Sequence, residues 1–317
     1  MSTNKNNNLI SSLLWNYSGK IGKQIWGIIV SIILARKLGP SIFGAISISL
    51  VIISIFSFFI SSGMFSAIIQ AKHPTTKHYN TIFLFNIIIS LVLVLILSLT
   101  STTFIYFLEL DYDISKILVV LSSILIISAL TQVQEAIKIR EMSFDIIAKA
   151  SFLSSLISGL LALILVLNNF GIWSLVTLHI SEKLIFSILI WFKSNWIPKL
   201  EFHVKEFKEL WRFGSNLLYS AFLENLVMNL DSIIISKSIS LTQLGFYNRA
   251  KTLNNFVVRY ASTSTESVLF SKMSTFQDDF SKLKRFSNRV DHIISFVTFF
   301  LLGLLYISAE GIIILLL

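Results

Sequence analysis

Between Ile82 and Phe107 the chain reads "IFLFNIIISLVLVLILSLTSTTFIYF", with no Asp, Glu, Lys or Arg. A helix needs roughly 20 such residues to cross a hydrocarbon core of about 30 Å, so this run is long enough to span one. Backbone inside such a core must satisfy its own hydrogen bonds, which leaves only helices or a closed barrel. The run is apolar on nearly every face instead of alternating, and Ile146 to Leu167 repeats the pattern, so helices fit and barrel strands do not. Composition extends the point to the whole chain: 54% of residues are hydrophobic, only 14% are charged and mean hydropathy is +0.78. The expected fold class is an all-α polytopic membrane protein.

The apolar runs predict spans at Leu13 to Leu34, Ile42 to Ser62, Ile82 to Phe107, Ile114 to Val133, Ile146 to Leu167 and Ile172 to Phe192. After a charged connector come Phe213 to Ser236, Leu241 to Phe270, Val290 to Ile307, and a further segment opening at Gly311 that stops at Leu317. The domains expected are therefore an N-terminal six-helix lobe over 1–192, a cytoplasmic amphipathic connector over 193–212 and a partial C-terminal lobe over 213–317. The Asn-rich start, "MSTNKNNNLISSLLWNYSGK", is read as carrying no removable signal peptide. Cysteine is absent, which excludes disulfides, thiolate metal sites and cysteine nucleophiles.

Lys and Arg collect at alternate connectors, and cytoplasmic loops are the ones that retain them. An N-terminus inside the cell puts Lys72 and Lys77, then Lys138, Arg140 and Lys149, then Lys193, Lys199, Lys205, Lys208 and Arg212 on the cytoplasmic side. The opposite connectors are the acidic "ELDYD", the uncharged "NNFG" and Glu310. The net charge of +9 is thus a topology signal, and no nucleic-acid partner is expected from it. Phe207, Leu210, Trp211 and Gly214 share one helical face among Lys205, Glu206, Lys208 and Glu209, a pattern suited to the headgroup layer of anionic lipid. "DDFSKLKRFSNRV" repeats it.

Two distant stretches match. "LWNYSG" from Leu14 parallels "LWRFGS" from Leu210, and "ARKLGPSIFG" from Ala35 parallels "SKSISLTQLG" from Ser236. Six spans separate the copies, so both halves keep one orientation. Parallel duplication of this kind is typical of transporters that rock two bundles around a central cavity.

Several stretches carry a family likeness: "LARKLGPSIFG", "SAIIQAKHPT", "IKIREMSFDIIAKA", "NNFGIWSLV", "LWRFGSNLL", "NLDSIIISKSISLTQLGFYNRAKTL" and "VLFSKMSTFQDD". Spread over nearly all of the chain, they resemble the polysaccharide-biosynthesis transporters. These are the Wzx-type lipid-linked oligosaccharide and O-antigen flippases of the multidrug/oligosaccharidyl-lipid/polysaccharide exporter superfamily. Ser271 departs from the proline usual there, and Lys237 to Ser240 from a glycine-rich turn. The resemblance implies a MATE-like pair of lobes, the first complete and the second C-terminally truncated. It implies a flippase, not an enzyme, located in the bacterial cytoplasmic membrane. The expected cargo is an undecaprenyl-pyrophosphate-linked oligosaccharide repeat destined for O-antigen, capsule or exopolysaccharide. Membrane lipids and other polysaccharide-assembly proteins are the remaining expected partners.

Ionisable residues inside spans usually face a cavity or each other. Lys20 and Lys23 read as ligands of an anionic headgroup or as side chains snorkelling to the interface. Arg36, whose counterpart in the second half is Lys237, and Arg249 and Arg259 are the other headgroup candidates, since arginine grips phosphate bidentately. In the seventh span Asn225 and Asn229 share one face, roughly with Phe222, while Glu224 and Asp231 share another. They read as a polar stripe or as a coupling-ion site for Na+ or H+, and Asp231 alternatively as the partner of Arg249 or Arg259. His179, Glu182 and Lys183 could make a proton relay or an interhelical hydrogen-bond cluster. No catalytic residue, bound cofactor or metal site is expected. Asp111 to Asp113 mimics a glycosyltransferase motif in a short outer loop, and His73 and His78 have the wrong spacing for zinc. The alternatives are a cation-coupled small-molecule exporter of the same superfamily, an inactive truncated remnant and a membrane sugar polymerase.

Overall fold

The computed structural model describes residues 22–61, 63–109, 113–252, 254 and 280–311. Every regular element among them is helical: α1 (22–38), α2 (Pro40–Ser61), α3 (Gly63–Gln70), α4 (Thr76–Phe107), α5 (Asp113–Arg140), α6 (Phe144–Leu167), α7 (Trp173–Phe192), α8 (Val204–Ser238), α9 (241–252) and α10 (Phe280–Ile307). Among the described residues six helices are long and apolar enough to cross a membrane, namely α2, α4, α5, α6, α7 and the Gly214–Ser238 part of α8. The protein is a multi-pass membrane protein. The expected starts at Leu13 and Gly311 fall at the edge of, or outside, the described residues.

Two compact units divide the chain, Met1–Leu244 and Gly245–Leu317. Within the first unit α8 packs along α2, α3 and α4. In the second unit α10 carries a stacked Phe296–Phe300 pair, and Lys251 lies over the Tyr247 ring.

Turns in the first unit follow their local chemistry. Gly39 takes φ +75 and donates its N–H to the Ala35 carbonyl, closing α1, and Pro40 then opens α2 where its missing N–H costs nothing. Between α5 and α6, Ser143 N–H reaches back to the Lys138 carbonyl and Met142 sits at φ 57. Between α6 and α7, Phe170 N–H reaches the Leu165 carbonyl, with Asn169 and Gly171 also left-handed. At the first of these ends Arg140 Nη1 adds three bonds, to the carbonyls of Ile68, Ile69 and Ala71, which completes the C-terminus of α3.

At the same basic end, α4 starts six residues before the apolar run. His78 Nδ1 accepts the Thr75 N–H as a cap. Asn80 and Thr81 then accept the N–H groups of Lys199 and His203, tying the connector down. Trp196 packs edge-on against Tyr79 and Phe83. Polar residues can extend the helix here because the connector, not lipid, covers them.

α5 is the central pillar. Leu118, Leu121, Leu125, Ala129, Val133 and Ala136 form one stripe at three- and four-residue spacing, and each is fully buried. Around it sit α2, α3, α4, α6 and α7. Short polar bonds lock the contacts: Asn86 to Gln132 at 2.7 Å joins α4 to α5, and Thr131 to Ser187 at 2.6 Å joins α5 to α7. Lipid-facing positions such as Leu91, Leu95 and Leu99 of α4 stay exposed.

Lipid solvates leucine as well as a core does, so truncation should cost stability through lost packing alone. Leu125→Ala, at 0% exposure, should destabilise the protein in detergent by about 2–4 kcal/mol, whereas Leu95→Ala, at 59%, should stay within about 0.5 kcal/mol. Thermal or denaturant unfolding of both variants checks this; equal losses would contradict the assignment of α5 as the pillar.

Candidate functional site

The polar interior of the first unit is built by α1, α5, α6 and α7. Lys23 on α1 places its Nζ 2.6 Å from Glu182 Oε1 on α7 and donates to Ser151 Oγ on α6 at 3.2 Å. Side-chain exposures of 39% for Lys23 and 25% for Glu182 show that the pair borders open space instead of being sealed in packing. That space is a cavity of about 210 Å³ lined by Lys23, Glu135, Ser151, Ser154, Glu182 and Lys183. It holds two ammonium groups and two carboxylates, so its formal charges cancel.

Depth follows from helix geometry. Ser151 lies seven residues into α6 and Glu182 about ten from the basic end of α7, or roughly 10–15 Å from that end at 1.5 Å per residue. The cluster is therefore well inside the spans, where ionisable side chains are expensive. A second cavity, of about 290 Å³, continues past it between α1, α2, α6 and α7, with Trp26, Ser31, Ser47, Ser155, His179 and Glu182 among its lining. Glu182 borders both cavities. Between them Trp26 Nε1 donates to the Ser155 carbonyl at 3.0 Å. Gly159 makes room for that indole, since a Cβ there would stand 2.4 Å from Trp26 Nε1.

The α8 candidates sit elsewhere. Asn229 Nδ2 donates to Asn225 Oδ1 and to the Asn225 carbonyl, and Ser54 Oγ of α2 donates to the same Asn225 oxygen at 3.5 Å. Phe222, on that face, packs against Phe58 and Phe59. Lower on the same contact Gly63 and Gly214 let α3 and α8 touch, because a Cβ on Gly63 would stand 2.5 Å from the Gly214 carbonyl oxygen. Asp231 accepts the N–H of Ser232, and Glu224 is exposed. Arg36 is exposed near the end of α1, and Lys237 reaches the ring of Phe107 at 3.6 Å. Arg249 is half-buried on α9 in the second unit. Lys20 and Arg259 lie outside the described residues.

Of the sequence candidates, then, the fold brings Asn225 and Asn229 together and joins Lys23 to the Glu182 of the His179, Glu182, Lys183 group. Glu135 escaped the sequence reading. The expected fourth span stops at Val133, two residues short of it, whereas α5 continues to Arg140. The signal was present in the run Gln132, Gln134, Glu135, polar residues in a helix with apolar neighbours.

Comparison with known proteins agrees with this architecture. The family described as "Polysaccharide biosynthesis protein" matches residues 33–317. The succinoglycan biosynthesis transport protein ExoT of Rhizobium meliloti (strain 1021) is 23% identical over 269 residues, 85% of this chain and 53% of that protein. An uncharacterized membrane protein in the cps region of Klebsiella pneumoniae is 23% identical over 309 residues, 95% of this chain and 63% of that protein. The chain thus spans between about half and two thirds of the length of these relatives. Among solved structures, an inward-facing multidrug resistance MATE family transporter of the MOP superfamily superposes with a TM-score of 0.69 at 14% identity, covering 93% of this chain and 72% of that one. The fold is MATE-like, and the chain belongs to the polysaccharide biosynthesis protein family.

Proposed function

We propose that this chain takes part in moving an undecaprenyl-pyrophosphate-linked oligosaccharide repeat across a bacterial cytoplasmic membrane for surface polysaccharide assembly. The cavity of Lys23, Glu135, Glu182 and Lys183 is the site that couples this movement to a cation, Na+ or H+. Family membership and the name of the succinoglycan transport relative support the cargo class. The charged cavity carries the coupling reading, because four ionisable groups around one opening inside the spans have no cause in packing alone.

The chemistry divides the cations into two groups. Lys23 is neutralised by Glu182, and a cavity of balanced charge does not suit a multiply anionic pyrophosphate. Headgroup contact fits Lys20, Arg36, Arg249 and Arg259 better. A proton or Na+ arriving at Glu182 removes the counter-charge of Lys23, whose ammonium must then re-partner, with Glu135 the other carboxylate lining the same cavity. Because Lys23 and Glu182 stand on different helices, such a switch biases α1 against α7, and differential stabilisation of two arrangements is what coupling requires. The line of Ser54, Asn225 and Asn229 between α2 and α8 supplies uncharged hydrogen-bonding groups suited to sugar hydroxyls.

Deleting the gene in its host should leave lipid-linked repeat on the inner leaflet and abolish surface polysaccharide. Restoring the chain with Glu182→Gln, at normal membrane abundance, should recover less than a tenth of the polysaccharide that the unaltered chain recovers. Absence of accumulation on deletion would reject the flippase reading, and full recovery by Glu182→Gln would reject the coupling site.

A charge exchange separates structure from coupling. Lys23→Glu and Glu182→Lys should each destabilise the protein, and the exchanged pair that combines them should regain about 1–3 kcal/mol of interaction in a double-mutant cycle. Transport should stay impaired in the exchanged protein, because the carboxylate has left α7. Recovery of both stability and transport would reduce the pair to a structural tie.

A further inference from the structure

A groove on the outside of the first unit, at its basic end, has the form of a lipid site. It measures about 360 Å³ and runs between the start of α6 and the end of α7, lined by Asp145, Ile146, Lys149, Ala150, Leu153, Leu189 and Lys193. Its floor is apolar and continues towards the lipid-facing Leu184, Ile188 and Leu160, all exposed. Two ammonium groups stand at its mouth. Asp145 holds Lys149 at 3.3 Å across one helical turn, while Lys193 forms no ion pair among the described residues. The lining thus carries two lysines and one aspartate beside an apolar channel, where the α7 span ends.

The connector fixes that depth independently. Lys193 both lines the groove and opens the segment that the bonds to Asn80 and Thr81 pin against α4. From this pinned segment Ile197 and Leu200 project with 80% and 75% exposure, among Lys199, Lys205, Lys208 and Arg212. Apolar side chains alternating with cations on a rigid segment belong in a headgroup layer, and the positive-inside bias makes it the cytoplasmic one.

We propose that the α6–α7 groove binds an anionic phospholipid of the inner leaflet. The phosphate sits between Lys149 and Lys193, and an acyl chain lies along Ile146, Ala150, Leu153 and Leu189. Charge selects the occupant: a zwitterionic headgroup would bring its own ammonium against the two lysines, whereas phosphatidylglycerol brings net negative charge. The site lies apart from the interior cavity and does not depend on the proposed cargo.

Native mass spectrometry of the purified chain, exchanged between phosphatidylglycerol and phosphatidylcholine, tests it. The unaltered protein should retain phosphatidylglycerol preferentially. Lys149→Gln with Lys193→Gln should lower that retention about tenfold and leave phosphatidylcholine unchanged, while Lys149→Arg with Lys193→Arg retains it. Both lysines are exposed, so the Gln pair should elute as the unaltered protein does in size exclusion. Should the pair fail to fold, a Leu153→Trp reporter quenched by brominated phosphatidylglycerol but not by brominated phosphatidylcholine makes the same distinction. Equal retention of the two lipids would overturn the proposal. So would loss of phosphatidylglycerol only when Lys199, Lys205 and Lys208 are replaced, or preferential retention of a polyprenyl diphosphate.

Discussion

A charge carried into the hydrocarbon layer must meet an opposite charge or water, and the interior of this protein is arranged around that requirement. Lys23 and Glu182 meet at 2.6 Å across α1 and α7, with Ser151 of α6 as the third member. Three helices are thereby held by one polar junction, and α5 closes the cavity beside it with Glu135. Apolar packing around the pillar of Leu118, Leu121 and Leu125 cannot substitute for it, because lipid offers those leucines nearly as good a solvent. Specific association in this setting comes from close packing and from polar bonds, and both converge on α5 and its neighbours.

The cations outside the junction divide by task. Arg140 caps α3, and Lys138, itself buried, pairs with Glu141 at 2.7 Å. Both are thus satisfied within the protein, Arg140 by finishing a helix end and Lys138 by its ion pair. Lys193 and Lys199 of the pinned connector, and Lys205 and Lys208 in the first turns of α8, are instead exposed. Cations at one end of the bundle thus fall into those held by the protein and those left exposed.

Much of the fold could be read from residues alone. Uninterrupted apolar runs mark all five helices from Pro40 to Phe192, within two residues at every end except the start of α4 and the end of α5, which lie six and seven residues further out, and Gly39-Pro40 marks its own turn. What hydropathy could not show was where polar helix continues beyond the membrane. α4 begins at Thr76 because a cap and the connector satisfy its polar start, and α8 runs unbroken from Val204 because the amphipathic segment and the following span share one helix. The site was half legible. Spacing within one helix related Asn225 to Asn229 and Glu182 to Lys183, but only the fold could relate Lys23 to Glu182 or bring Glu135 to the same cavity.

Coupling at the charged junction requires that the cavity it borders be open to water. The chain has no cysteine, so one introduced thiol reports alone. Ser151→Cys, beside Lys23, and Leu153→Cys, on the lipid-facing side of the same helix, should be compared in membranes for labelling by a small water-soluble thiol reagent. Rapid labelling at 151 with little at 153 is the predicted result. An unreactive thiol at 151, in protein that inserts and folds normally, would mean that the junction is dry and purely structural.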